Sequence, residues 1–189
     1  DKNREFILTI SPSMDILISS NLERLVYMIA GCDAKKNCEL MKALKEKGVY
    51  ELTDDMKANL SDFAAGYATE EEVKAKIAEV YKKTGYVMDT HTAVASAVLR
   101  DYLEKTGDKT PAVIVSTASP YKFGASVLEA IAGEEAVKGK DDFACCAMLS
   151  ELTGTREPDQ IAKLPQMEIR HTGVCEKDAM AQAVLDAVK

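Results

Sequence analysis

The chain predicts an α/β fold, helix-rich and with a short, largely parallel sheet, because short apolar runs alternate with longer segments of helical periodicity along its 189 residues. Capping residues punctuate that alternation at the ends of the helical segments, and no internal repeat, low-complexity tract or linker interrupts it. Apolar residues form 47% of the sequence, enough for the core of one good-sized domain or of a piece of a larger one.

The first expected element is a strand at 6–10, an apolar run stopped by Ser11 and Pro12. A helix follows over 15–29, where Leu22, Leu25, Val26 and Ile29 recur at helical spacing and Gly31 closes the segment. A second helix spans 34–47 and stops at Gly48. Between 50 and 68 the pattern is less periodic: Thr53 caps a short helix, and 63–67 reads as a strand. Thr69 and Glu72 then form a capping box for a helix with Val73, Ile77, Val80 and Tyr81 on its apolar stripe and Gly85 at its end. Asp89 or Thr90 caps the next helix, which places Val94, Val98 and Tyr102 on one face and ends at Gly107. After Pro111, the β-branched run 112–115 is a central strand and 116–120 its exit loop. Val127, Leu128 and Ile131 mark a helix closed by Gly133, and Asp141 opens another that ends near Gly154. A weak strand at 167–170 precedes a last helix from Glu176, with Met180, Ala183, Val184 and Ala187 facing inward.

The net charge of -7 argues against nucleic acid and anionic membrane surfaces, both of which attract Lys and Arg. No apolar stretch approaches the roughly 18 residues needed to cross a bilayer, and 6–10 is too short for the apolar core of a signal peptide. The expectation is a soluble, cytoplasmic protein. The five cysteines, Cys32, Cys38, the adjacent Cys145 and Cys146, and Cys175, have no regular spacing, so they read as reduced packing residues rather than a disulfide framework. With only His91 and His171 and no Cys-x-x-Cys, no metal site is expected. The first residues lack an initiator Met and lead directly into the apolar run, as in a processed or truncated polypeptide.

Three polar clusters flank the apolar segments, where an α/β fold places its ligands. They are Ser11-Pro12-Ser13-Met14-Asp15 with Ser19-Ser20-Asn21-Leu22-Glu23-Arg24, then Asp89-Thr90-His91-Thr92-Ala93, then Ser116-Thr117-Ala118-Ser119-Pro120-Tyr121-Lys122-Phe123. Taken one at a time, each serves as an ordinary helix cap or turn.

Taken in order, the clusters resemble threonine synthase. That family carries a Ser-Pro-Ser-Met-Asp-Ile stretch running into Ser-Ser-Asn-Phe-Glu-Arg, matched here from Ser11 to Arg24 with Leu22 in place of Phe. Its Asp-Pro-His-Thr-Ala segment is matched from Asp89 to Ala93, with Thr90 in place of Pro, and its Thr-Ala-x-Pro-x-Lys-Phe turn from Thr117 to Phe123. The resemblance implies the helix-rich C-terminal portion, residues 1–189, of a pyridoxal phosphate enzyme of the tryptophan-synthase-like fold (fold type II). It also implies the parent reaction: O-phospho-L-homoserine and water become L-threonine and phosphate, with the cofactor as electron sink. Thr117, with Ser116 as the neighbouring choice, is the implied hydroxyl at the pyridine nitrogen. Ser20, Asn21, Arg24 and Lys122 are candidate substrate contacts, and His91 either orients a site loop, transfers a proton or is structural.

A lysine that holds the cofactor covalently and a glycine-rich phosphate cradle belong to such an enzyme, yet the ten glycines here are scattered singly and the family's lysine motif is not among residues 1–189. No catalytic residue is therefore assigned. Lys122 is not promoted to that role, because the family uses its turn differently. The chain alone is expected to be inactive, with a missing N-terminal part as its partner and oligomers arising through an uncovered apolar face. A stand-alone binding or regulatory module that kept the fold and lost the chemistry is the alternative. An unrelated nucleotide-binding α/β domain lacks its Gly-x-Gly-x-x-Gly or phosphate-loop motif.

Overall fold

Helices carry the whole architecture. The computed structural model describes residues 1–188, so Lys189 of the predicted 1–189 unit lies outside the described residues. In chain order the helices are α1 (Ser20–Ile29), α2 (Ala34–Lys47), α3 (Asp54–Ala58), α4 (Glu70–Thr84), α5 (Thr90–Thr106), α6 (Gly124–Ala132), α7 (Asp142–Thr153), α8 (Asp159–Ala162) and α9 (Met180–Ala187). Short 3-10 turns at Pro12–Met14, Pro120–Phe123, Glu134–Ala136, Leu164–Gln166 and Lys177–Ala179 join or lead into them.

Local chemistry explains the helix ends. Thr69 and Glu72 form the expected capping box: Thr69 N–H donates to Glu72 Oε2 at 2.7 Å and Glu72 N–H to Thr69 Oγ1 at 3.3 Å. Thr53, Asp89 and Asp141 cap α3, α5 and α7 through their side chains. The helix after Asp15 starts later than its pattern implies, at Ser20, because Asp15 turns back instead: its carboxyl accepts from Thr9 N at 2.8 Å and Thr9 Oγ1 at 2.7 Å.

Two apolar clusters form. In the main one, α4, α5, α6 and α7 bring Val73, Ile77, Ala93, Val127, Cys146 and Leu149 together with Val87, Met88 and Tyr121. A smaller one joins α1, α2 and α3 through Val26, Ile29, Leu40 and Met56. Tyr121 is held at both ends, its ring buried and its hydroxyl 2.9 Å from Thr155 O and 2.7 Å from Thr155 Oγ1. Gly124 is required by packing, since a Cβ there would run into the Cys146 side chain. On α5 the buried residues are Thr90, Thr92, Ala93 and Ala97. Of the face that carries Val94, Val98 and Tyr102, Val94 is partly buried against the main cluster, and Val94 and Val98 line a cleft.

The expected sheet is absent among the described residues. Neither 6–10, 63–67, 112–115 nor 167–170 forms a strand. Val113 is 88% and Val115 71% exposed, and Phe6, Ile7 and Leu8 are also exposed. Strand propensity alone does not make a strand: a ladder needs a second edge within hydrogen-bonding distance, and none of the backbone bonds outside the helices joins these segments to one another. The inward face expected for the last helix is likewise corrected, since Met180 and Val184 are 58% and 63% exposed and Ala183 and Ala187 are exposed too. No described helix is long and apolar enough to cross a membrane.

Ile77 is fully buried in the main cluster, so Ile77→Ala should lower the unfolding free energy by about 2–5 kcal/mol in urea titration. Burial also pushes the Cys146 thiol up to about 11 and raises that of Cys145. An aromatic disulfide reagent should therefore label only the exposed Cys32, Cys38 and Cys175 in the folded chain, and all five thiols in denaturant.

Candidate functional site

A cleft of about 1280 Å³ opens between the N-terminal segment, residues 64–70, one face of α5 and the 115–122 turn. Ser11, His91, Thr92, Thr117 and Lys122 lie on its lining, so parts of all three polar clusters meet there. Segment 6–10 is held over it by Ile10 N–H, which donates to Glu70 Oε1 at 3.0 Å, and by the Thr9–Asp15 bonds.

The start of α5 organises the site. Asp89 has no solvent exposure; its Oδ1 accepts from His91 N at 2.9 Å and Thr92 N at 3.3 Å, and its Oδ2 takes a short bond from the Thr92 hydroxyl. Thr92 Oγ1 also lies 3.0 Å from Ser116 Oγ. A hydroxyl carries one hydrogen, so with that of Thr92 committed to Asp89, Ser116 is the donor of the second pair. Tyr86 O–H in turn reaches Ser116 Oγ at 3.4 Å. The resulting chain Tyr86–Ser116–Thr92–Asp89 ties the 116–118 turn to the first turn of α5.

His91 is bracketed by this arrangement. Its Nδ1 stands 3.3 Å from Asp89 Oδ1 and 3.4 Å from Thr90 Oγ1. Its ring centroid is 4.7 Å from that of Phe123 at a tilt of 50°, a common aromatic separation. Lys122 Nζ lies 5.9 Å from the same Phe123 ring, within cation–π range. The Nε2 of His91 and the Oγ of Ser11 are buried with no hydrogen-bond partner among the described residues.

Of the sequence-predicted residues, the structure therefore gathers Thr117, Ser116 (through its bond to Thr92), Lys122 and His91, with Thr117 and Lys122 exposed. Ser20, Asn21 and Arg24 sit on the first turns of α1, exposed and outside the cleft lining. Glu23 does not pair with Arg24; it accepts from Asn37 Nδ2 at 3.1 Å. The contribution missed in the sequence is the link between Thr92 and Ser116. Its only signal was a hydroxyl three residues after a capping Asp, which pattern alone reads as a cap. Thr92→Val should destabilise the fold by about 1–3 kcal/mol, since it leaves a buried carboxyl oxygen short of a donor, and should speed amide exchange at 116–118 in hydrogen-exchange mass spectrometry.

A family model described as threonine synthase, C-terminal, matches residues 92–186, half of the chain. Threonine synthase-like 1 of Homo sapiens is 36% identical over 132 residues, covering 69% of this chain and 17% of its own length. Threonine synthase of Corynebacterium glutamicum is 31% identical over 186 residues, 95% of this chain and 34% of its own. Among solved structures, a pyridoxal-phosphate-bound threonine synthase from Brucella melitensis superposes with a TM-score of 0.66 at 34% identity over 87% of this chain and 31% of that one. The yeast threonine synthase gives 0.73 at 25% identity over 97% and 36%. The chain thus spans about a third or less of the length of these relatives. It shares their fold over its helices, and it belongs to the threonine synthase family as a C-terminal part.

Proposed function

We propose that this chain supplies one wall of the active site of a cytoplasmic threonine synthase, which converts O-phospho-L-homoserine and water to L-threonine and phosphate. The observation that carries the proposal is the convergence of Thr117 and Lys122, from one turn, with His91, from the start of α5, on one cleft. The cleft suits pyridoxal phosphate: it is at least as large as common small-molecule sites, which run to about 1,000 Å³, and its lining mixes apolar walls with hydroxyls, the cations Arg4 and Lys122 and the carboxyls of Glu5, Asp15 and Glu70. Bound there, pyridoxal phosphate supplies an electron sink.

The chain's own residues do the rest of the work on this side of the site. The Thr117 hydroxyl meets the pyridine nitrogen, a neutral partner that does not force a full positive charge onto the ring as a carboxylate would. Lys122 meets the substrate phosphate as a point charge. Ser20, Asn21 and Arg24 stay proposed as substrate contacts on the exposed start of α1. The lysine that binds the cofactor covalently and the phosphate cradle are assigned to a preceding N-terminal part of the enzyme, whose strands also give 6–10 and 112–115 their missing edges. Left uncovered, those apolar segments favour self-association.

Residues 1–189 mixed with pyridoxal phosphate should give no shifted absorbance band and no borohydride-stable adduct; an adduct mapped to Lys122 overturns the assignment. In the complete enzyme, Thr117→Val should lower kcat about tenfold by removing one hydrogen bond to the cofactor, read as phosphate release from O-phospho-L-homoserine. Full activity in that variant removes Thr117 from the site.

A further inference from the structure

Lys122 lines the cleft and is exposed, while its neighbour in the same turn, Tyr121, is buried in the main core cluster. Tyr121 fills the second open position of the Thr-Ala-x-Pro-x-Lys-Phe turn, and it is gripped at both ends. Its backbone oxygen accepts from Cys146 Sγ of α7 at 3.2 Å. Its hydroxyl reaches Thr155, just beyond the end of α7, at 2.9 Å from the carbonyl oxygen and 2.7 Å from Oγ1. Counting hydrogens gives the direction of this second grip. The Thr153 hydroxyl stands 2.6 Å from Leu149 O, a carbonyl that only accepts, so Thr153 donates there. The 2.7 Å pair between Thr153 and Thr155 then takes its hydrogen from Thr155. With that hydrogen spent, the Tyr121 O–H is the donor to both Thr155 oxygens. Thr155 is anchored in turn, since its carbonyl also accepts from Ser150 Oγ at 2.7 Å.

The other half of the turn has its own tether. Ser116, next to Thr117, is held to Thr92 of α5 at 3.0 Å, whereas Tyr121, next to Lys122, is held to α7 and its exit. Ser119, between the anchors, bonds within the turn: its Oγ accepts from Tyr121 N at 3.3 Å and its carbonyl from Lys122 N at 3.1 Å. A lysine carries its charge on a flexible stem, so where the ammonium stands depends on how firmly the backbone beneath it is fixed. We propose that Tyr121 is a positioning residue that acts through Lys122: its clamp on Thr155 holds the ammonium where it meets the substrate phosphate, independently of the Ser116–Thr92 tether beside Thr117. The two tethers stand on geometry; the phosphate as ligand rests on the threonine synthase function proposed above. Tyr121→Phe keeps the buried ring, and it leaves both Thr155 oxygens bonded, one to Ser150 and the other to Thr153, so the variant folds.

The test has two arms. In the first, hydrogen-exchange mass spectrometry compares the native chain with Tyr121→Phe and Thr92→Val. Tyr121→Phe should speed amide exchange at 121–123 about fivefold to tenfold, the loss of one hydrogen bond, and spare 116–118. Thr92→Val should speed 116–118 and spare 121–123. No change at 121–123 in Tyr121→Phe, equal change in both halves, or a rise that spreads through α6 and α7 overturns the two-tether arrangement. In the second arm, the complete enzyme with pyridoxal phosphate bound is assayed for phosphate release from O-phospho-L-homoserine. Tyr121→Phe should raise KM about fivefold while kcat changes less than about twofold and the cofactor absorbance stays native. Thr155→Ser, which keeps both accepting oxygens, should match the native enzyme. In a Lys122→Ala background, Tyr121→Phe should add nothing to KM. A further rise there, or a fall in kcat at native KM in Tyr121→Phe alone, overturns the action through Lys122. Failure of the native enzyme to release phosphate overturns the enzyme function and the phosphate role together, and leaves the tethers to be decided by the first arm.

Discussion

A carboxyl group sealed from water must be given hydrogen bonds or it costs the fold dearly, and Asp89 meets that requirement with three donors drawn from His91 and Thr92. The consequence is more than a helix cap. Because Thr92 spends its hydrogen on Asp89, its oxygen is left to receive Ser116, and the turn that carries Thr117 is held to the start of α5. The same carboxyl stands beside the His91 ring. Much of the cleft therefore takes its geometry from one buried side chain.

The helices around it form a platform rather than an enclosure. α4, α5, α6 and α7 pack on one cluster, with Ala93 and Ala97 of α5 buried, Val94 partly buried against the cluster, and Val94 and Val98 on the cleft lining. Around this platform, Ile10 packs partly against the main cluster, whereas 6–9 and 112–115 stay exposed and make no ladder among the described residues. Their composition fits a buried sheet. The matched part covers 17% and 34% of two relatives, so both are longer than this chain.

The balance of charge in the cleft follows a division of labour. Asp15 and Glu70 are occupied with the backbone of the 6–10 segment, while Arg4 and Lys122 are the cations on the lining, Lys122 beside Phe123. Lys74 and Glu129, by contrast, are spent on bridging α4 and α6 at 2.6 Å.

Local chemistry was legible from residue order because its partners are three or four positions apart: the Thr69–Glu72 box, the Asp89 and Asp141 caps, and the helix stops at Gly85 and Gly107 all depend on neighbours along the chain. The family was legible for a related reason, since its motifs are contiguous. What residue order could not decide were the properties that need a distant partner. Whether 112–115 becomes a strand depends on a second edge, whether α9 is buried depends on a surface to receive it, and whether Ser116 holds the site together depends on Thr92, brought to it by folding across 24 positions. Propensity is carried by the residue; pairing is carried by the space around it, and only the tertiary structure supplies that.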